Sequence, residues 1–163
     1  MIKHKTVIIN WLGPFTYADI EDNPELGNGL YLVAGRLPYE RQDIIQYCGI
    51  TEGSYIKRFK NHHKIFEVSR NLTFWIGEVI VPENITRYYL EVAESLIIYF
   101  WQPALNERKK ILEPEPTTII NYWCKKDGTP RFNQCSIYKE LDDVLSWDGE
   151  YWRTGNLKVY ENN

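Results

Sequence analysis

Leu90, Ala93, Leu96, Ile97 and Phe100 recur at intervals of three and four, the spacing that lines up side chains on one side of an α-helix. The pattern predicts an amphipathic helix over residues 85–101, stopped by Pro103, which cannot continue it. Elsewhere the apolar positions come in short β-rich runs. Residues 29–34 (Gly-Leu-Tyr-Leu-Val-Ala) and 44–51 (Ile-Ile-Gln-Tyr-Cys-Gly-Ile-Thr) flank the Gly35-Arg36-Leu37-Pro38 turn and predict an antiparallel pair. Residues 73–81 predict a third strand closed by Pro82, and residues 7–12 a short strand or extended arm broken by Gly13-Pro14. Ser54 is a suitable N-cap for a second helix. In that helix Ile56, Phe59 and Phe66 would fall near one face, with Arg58 and His62, four apart, as neighbours on another.

After a linker at 109–116 with two Glu-Pro pairs, residues 117–124 are strand-like and residues 125–128 and 148–149 carry turn signals. One or two helical turns are expected over 139–145 and a short strand over 157–160. Together these elements predict an α+β core in residues 1–112 that includes an N-terminal arm. Residues 113–163 would form a β-rich extension packed on the same domain.

Composition narrows the setting. The chain has 163 residues, the size of one ordinary domain. Its 44% hydrophobic and 25% charged content argues against wholesale disorder. A net charge of −3 is unsuited to holding nucleic acid by the overall field, so any such binding needs a concentrated basic patch. One exists: from Tyr55 to Ile65 there is no acidic residue, while Lys57, Arg58, Lys60 and Lys64 are all present. Cys48, Cys124 and Cys135 contain no C-x-x-C pair and make neither a disulfide framework nor a zinc site. The longest apolar run, Leu96 to Trp101, is too short to span a bilayer, and the N-terminus carries no apolar leader. A cytoplasmic, reducing setting without a membrane partner is the expectation.

Candidate chemistry is concentrated between residues 29 and 106. Tyr31 and Tyr47 sit in strands, where tyrosine commonly packs, but Gly29 and Gly49 beside them mark a close approach of another group. Arg58 with His62 and the neighbouring lysines suits an anion, since the guanidinium fork matches phosphate oxygens. His63 competes with His62 but would point about 100° away on a helix. Glu94 lies beside the inward face of its helix, a costly place for a carboxylate unless it is paired with a base such as Arg58 or holds a cation. Glu91 is its rival one turn earlier. Asn106 either ties a turn or supports a site.

The order of these residues resembles the GIY-YIG endonuclease family. Gly29-Leu30-Tyr31 is similar to the first motif and Tyr47-Cys48-Gly49 to the second. Arg58 and His62 are similar to the arginine and histidine that follow, Glu94 to the metal-binding glutamate, and Asn106 to the final asparagine. The resemblance spans residues 29–106. It departs in a longer gap between the tyrosines and in the tail from about residue 113. It implies a small three-stranded antiparallel sheet flanked by helices. It further implies a metal-dependent DNA endonuclease in which Glu94 holds one Mg²⁺ or Mn²⁺, Arg58 binds phosphate and Tyr31 takes a proton from water. Tyr47 and His62 would position the phosphate and Asn106 support the site. Lys57, Lys60 and Lys64 would meet the DNA backbone, with Arg36 and Arg41 as candidate base readers. A restriction-type enzyme of this size would act as a homodimer to cut both strands. The alternatives are a repair, phage or mobile-element nuclease selective for DNA structure, a non-catalytic nucleic-acid-binding module on the same scaffold, or a plain α+β domain with accidental motif matches.

Overall fold

The computed structural model describes residues 3–84, 86–131 and 142–157. Cys135, residues 139–141 of the expected helical turns and residues 158–160 of the expected last strand lie outside them. In chain order the elements are β1 (Lys5–Phe15), α1 (Tyr17–Glu21), β2 (Gly27–Arg36), β3 (Ile44–Ser54), α2 (Tyr55–Lys60), a 3₁₀ turn (Ile65–Glu67), β4 (Arg70–Val81), α3 (Arg87–Trp101), β5 (Thr117–Cys124), β6 (Val144–Trp147) and β7 (Trp152–Gly155).

All seven strands join one sheet in the order β3-β2-β4-β1-β5-β6-β7. This corrects the expectation of a small three-stranded antiparallel sheet flanked by helices. The cause lies in β1. Val7, Ile9, Trp11 and Phe15 are buried with period two, so the segment is a half-buried strand and not an arm. Gly13-Pro14 does not end it; the strand passes through them, and its register against β4 shifts between Leu12 and Phe15. β1 pairs antiparallel with β4 on one side and parallel with β5 on the other, with Trp11 opposite Trp123. The Trp11 indole N–H donates to Asn121 Oδ1 at 2.8 Å, which satisfies a buried amide inside the core. β5, β6 and β7 then continue the sheet edge to edge, and Val144 and Leu145, the end of the expected helical turns, belong to strand β6.

The sheet is covered on both sides around β2, whose residues 29–35 are all buried. Leu30, Leu32 and Ala34 join Leu90, Ala93, Leu96 and Ile97 of α3. Tyr31 and Val33 point the other way, to Tyr55, Ile56 and Phe59 of α2. A strand buried on both faces reads as a continuous apolar run, as Leu30 to Ala34 does. Tail and helix are stitched together by Trp152, which packs against Phe100 of α3 with ring centroids 4.7 Å apart. Helix α1 was not expected. Its signal is local: Thr16 and Asp19 make a reciprocal capping box, each side chain bonding the other's backbone N–H.

Candidate functional site

β3 is the outer strand on its side of the sheet, so its outward backbone groups need partners. The segment after α3 supplies them. Gln102, barred from helical geometry by the following proline, turns left-handed (φ 52°) and ends the helix. Leu105 N–H then donates to Gln46 O at 2.9 Å. Asn106 completes the edge as a strand residue would: its Oδ1 accepts from Cys48 N–H at 2.9 Å and its Nδ2 donates to Cys48 O at 3.0 Å. The asparagine is buried and ties the site to β3. Asn106→Ala leaves both Cys48 groups unpaired, and a stability loss of about 2–4 kcal/mol is expected from urea unfolding.

On the α2 face, Tyr31 lies opposite Gly49 across the β2–β3 pair. A Cβ at position 49 would overlap the Tyr31 hydroxyl, so the glycine makes room for the ring. Gly29 has the same relation to Tyr55, whose hydroxyl would stand 2.6 Å from a Cβ there and donates to Leu30 O. The Tyr31 and Tyr47 rings stack with centroids 6.0 Å apart, and the His62 ring stands edge-on to Tyr47 at 4.6 Å. Arg58 Nε donates to the Tyr31 hydroxyl oxygen at 3.3 Å. Tyr31 is fully buried, and burial drives its phenol well above the ordinary value, against the opposing pull of Arg58. Tyr47 is half-buried and raised in the same way, with Arg58 again countering.

His62 corrects the helix reading. α2 ends at Lys60, so Arg58 and His62 are not one turn apart on a helix, and Phe66 is exposed while Ile65 is buried. His62 is folded back under Tyr47 and buried, whereas His63 is exposed. Its Nδ1 accepts from Lys64 N–H at 3.3 Å, which leaves Nε2 to carry the proton of the neutral ring. Burial first, then the charges of Arg58 and Lys64, pull its pKa from 6.5 to about 4. Between those values the unfolded chain binds a proton that the folded protein does not. Stability from this group is therefore complete above about pH 6.5 and falls as pH drops toward about 4, by about 3 kcal/mol in all. In His62→Gln this part of the acid slope is expected to vanish, read from urea unfolding at about pH 7 and about pH 4.5.

Tyr47, Arg58, Glu94 and Asn106 line one cavity of about 540 Å³ at the β3 edge. Arg87, Glu91, Glu94 and Ile98 share a stripe of α3 that faces it, at helical intervals of four, three and four. Lys64, Glu107, Arg108 and Lys109 complete the wall. Five basic side chains against three carboxylates make the cavity locally cationic in a chain of net charge −3. Glu94 pairs with Lys109, Oε1 to Nζ 3.0 Å, and not with Arg58. Burial raises its carboxyl pKa and Lys109 partly restores it. Arg87, Arg108 and Lys109 escaped the sequence reading. Arg87 was legible as the residue two turns before Glu94 on the same face, whereas Arg108 and Lys109 lay at the edge of a stretch read as linker.

Among the described residues no three His, Cys, Asp or Glu side chains gather as a cage. One half-buried carboxylate with Glu91 a turn away, open to a polar cavity, nevertheless suits Mg²⁺ or Mn²⁺, which bind through one or two carboxylates and keep waters or substrate phosphates as remaining ligands. Of the expected DNA contacts, Lys64 lines the cavity, while Lys57 and Lys60 are exposed on α2 and outside its wall. Arg36 is bound to Asp43 at 2.9 Å, and Arg41 is exposed on the β2–β3 loop. Cys48 and Cys124 are buried free thiols. Among the described residues no helix is long and apolar enough to cross a membrane. No family model, curated protein sequence or solved structure matches the chain.

Proposed function

We propose that this cavity hydrolyses DNA phosphodiester bonds with the help of one divalent metal ion held by Glu94. The observation that carries the reading is convergence. Tyr47, Arg58, Glu94 and Asn106 come from β3, α2, α3 and the loop beyond it to line a single cationic cavity, with Tyr31 and His62 packed directly behind. Convergence of residues named for their order in the chain agrees with the GIY-YIG resemblance.

The metal ion would supply positive charge to the phosphate and the leaving oxygen. Arg58 binds the non-bridging oxygens as their charge builds. Tyr47 is the phenol that lines the cavity; burial keeps it protonated, so it orients the attacking water by hydrogen bonding, and the water's proton passes to a phosphate oxygen or to solvent. Tyr31, shut in behind Gly49, orients Arg58 through its hydroxyl. His62, neutral at physiological pH, supports Tyr47 from beneath, and Asn106 holds β3 in register. Lys64 and the exposed Lys57 and Lys60 take flanking phosphates, which position the duplex; Arg41, exposed on its loop, is the candidate base reader. Two copies acting together would cut both strands, and the free thiols fit a cytoplasmic setting.

The test is incubation of the purified protein with plasmid and phage DNA plus Mg²⁺ or Mn²⁺, followed by sequencing of the ends. Discrete fragments sharing one end sequence support a site-specific enzyme; random ends support a structure-selective nuclease. Absence of any nick with either ion overturns the catalytic reading in favour of a binding module.

A further inference from the structure

The loop that closes the cavity is held at several points. Asn106 fixes its start to Cys48. Gln102 Nε2 donates to both Tyr99 O and Lys110 O at 2.8 Å, which fixes its far end to the C-terminus of α3. Lys64 Nζ bonds Leu105 O and pairs with Glu107, each at 3.1 Å. Between these ties Lys109 adopts a left-handed backbone (φ 66°), a conformation unfavourable for a non-glycine residue. Its ammonium reaches Glu94 Oε1 at 3.0 Å. Arg58 and Arg87 share the cavity, yet neither pairs with Glu94; Arg87 is engaged by Glu52 and Glu91.

A hard divalent cation would approach a Glu94 oxygen to about 2.1 Å; with the ammonium already on Oε1, an ion on either oxygen of the same carboxylate would lie within a few ångströms of it and be repelled. We propose that Lys109 occupies the cation position of Glu94, so that a divalent ion binds there only by displacing the ammonium into the cavity. The inference rests on the reading of Glu94 as the metal-holding carboxylate. The lysine then serves two ends. It keeps the half-buried carboxylate paired while no metal is bound. Once displaced, its charge is free for a phosphate in the same cavity, which links metal binding to the presence of the anion.

The experiment is titration of the full chain with Mn²⁺, followed by the electron paramagnetic resonance signal of the free ion. It compares wild type, Lys109→Met, Lys109→Gln and the Glu94→Gln/Lys109→Met double variant, with thermal melts to verify folding. Removing the competing ammonium is expected to tighten Mn²⁺ binding about tenfold in both single variants, the worth of a partly buried ion pair of about 1.4 kcal/mol. The double variant should lose that gain. Binding of unchanged or weaker affinity in folded Lys109→Met and Lys109→Gln, with Glu94 still required, overturns the displacement while leaving the metal reading intact. Binding that is absent throughout, or indifferent to Glu94→Gln, overturns both.

Discussion

Glu94→Gln is expected to lower the single-turnover rate of plasmid nicking by on the order of 10³-fold while DNA affinity changes by less than about threefold. The size follows from the role: a metal ion neutralising phosphate and leaving-group charge is worth several kcal/mol, and each 1.36 kcal/mol is about a factor of ten in rate. Binding survives because Arg58, Lys64 and Arg108 remain in the cavity. The fold survives too. Glutamine keeps the shape of the side chain, burial already disfavours the charged carboxyl, and Lys109, about 28% exposed, can turn to solvent. Nicking at the wild-type rate by a folded variant would remove Glu94 from the chemistry.

Arg58→Ala is expected to cost about 10²–10³-fold in the same assay, the loss typical of one donor aimed at developing negative charge. Arg58→Lys should recover little of it, because an ammonium lacks the planar fork that spans two phosphate oxygens. The structural share is separable. Arg58 Nε is the hydrogen-bond partner of the buried Tyr31 hydroxyl, so the alanine variant should also lose about 1 kcal/mol of stability, visible as a lower urea midpoint. A Tyr31→Phe control removes the same hydrogen bond and keeps Arg58. Because Tyr31 only orients Arg58, this control should lose less than the alanine variant; an unchanged rate in Arg58→Ala itself would remove Arg58 from the site.

The two sets of variants also distinguish layers of the site. Asn106→Ala acts on the edge of β3 and His62→Gln on the packing beneath Tyr47, so both should register first in unfolding curves. Glu94 and Arg58 face the cavity and should register first in rates.

Local periodicity accounts for what was legible from the chain alone. The three- and four-residue spacing of Leu90 to Phe100 marked α3. The apolar runs at 29–34 and 44–51, with a turn between them, marked an antiparallel pair that does form, Tyr31 opposite Gly49. The candidate residues at 31, 47, 58, 62, 94 and 106 could be named from residue type and order, and folding brings them to one place. The sequence of strands across the sheet could not be read that way. The parallel pairing of β1 with β5 joins Lys5 to Thr117 and Trp11 to Trp123, and nothing near residue 11 in the chain refers to residue 123. That nonlocal pairing turned an apparent arm into a central strand and an apparent appendage into a continuation of the sheet. The end of α2 was equally hidden, because burial of Ile65 and His62 against the tyrosine layer outweighed the continuation of a helical register. So the amino-acid order by itself determined the elements whose period is two or about 3.6 residues, and the inventory of reactive groups. Tertiary structure alone decided which phenol faces the cavity, that the base paired with Glu94 is Lys109, and how seven strands share one sheet. Those outcomes depend on hydrogen bonds and burial between segments tens of residues apart, and no local pattern encodes them.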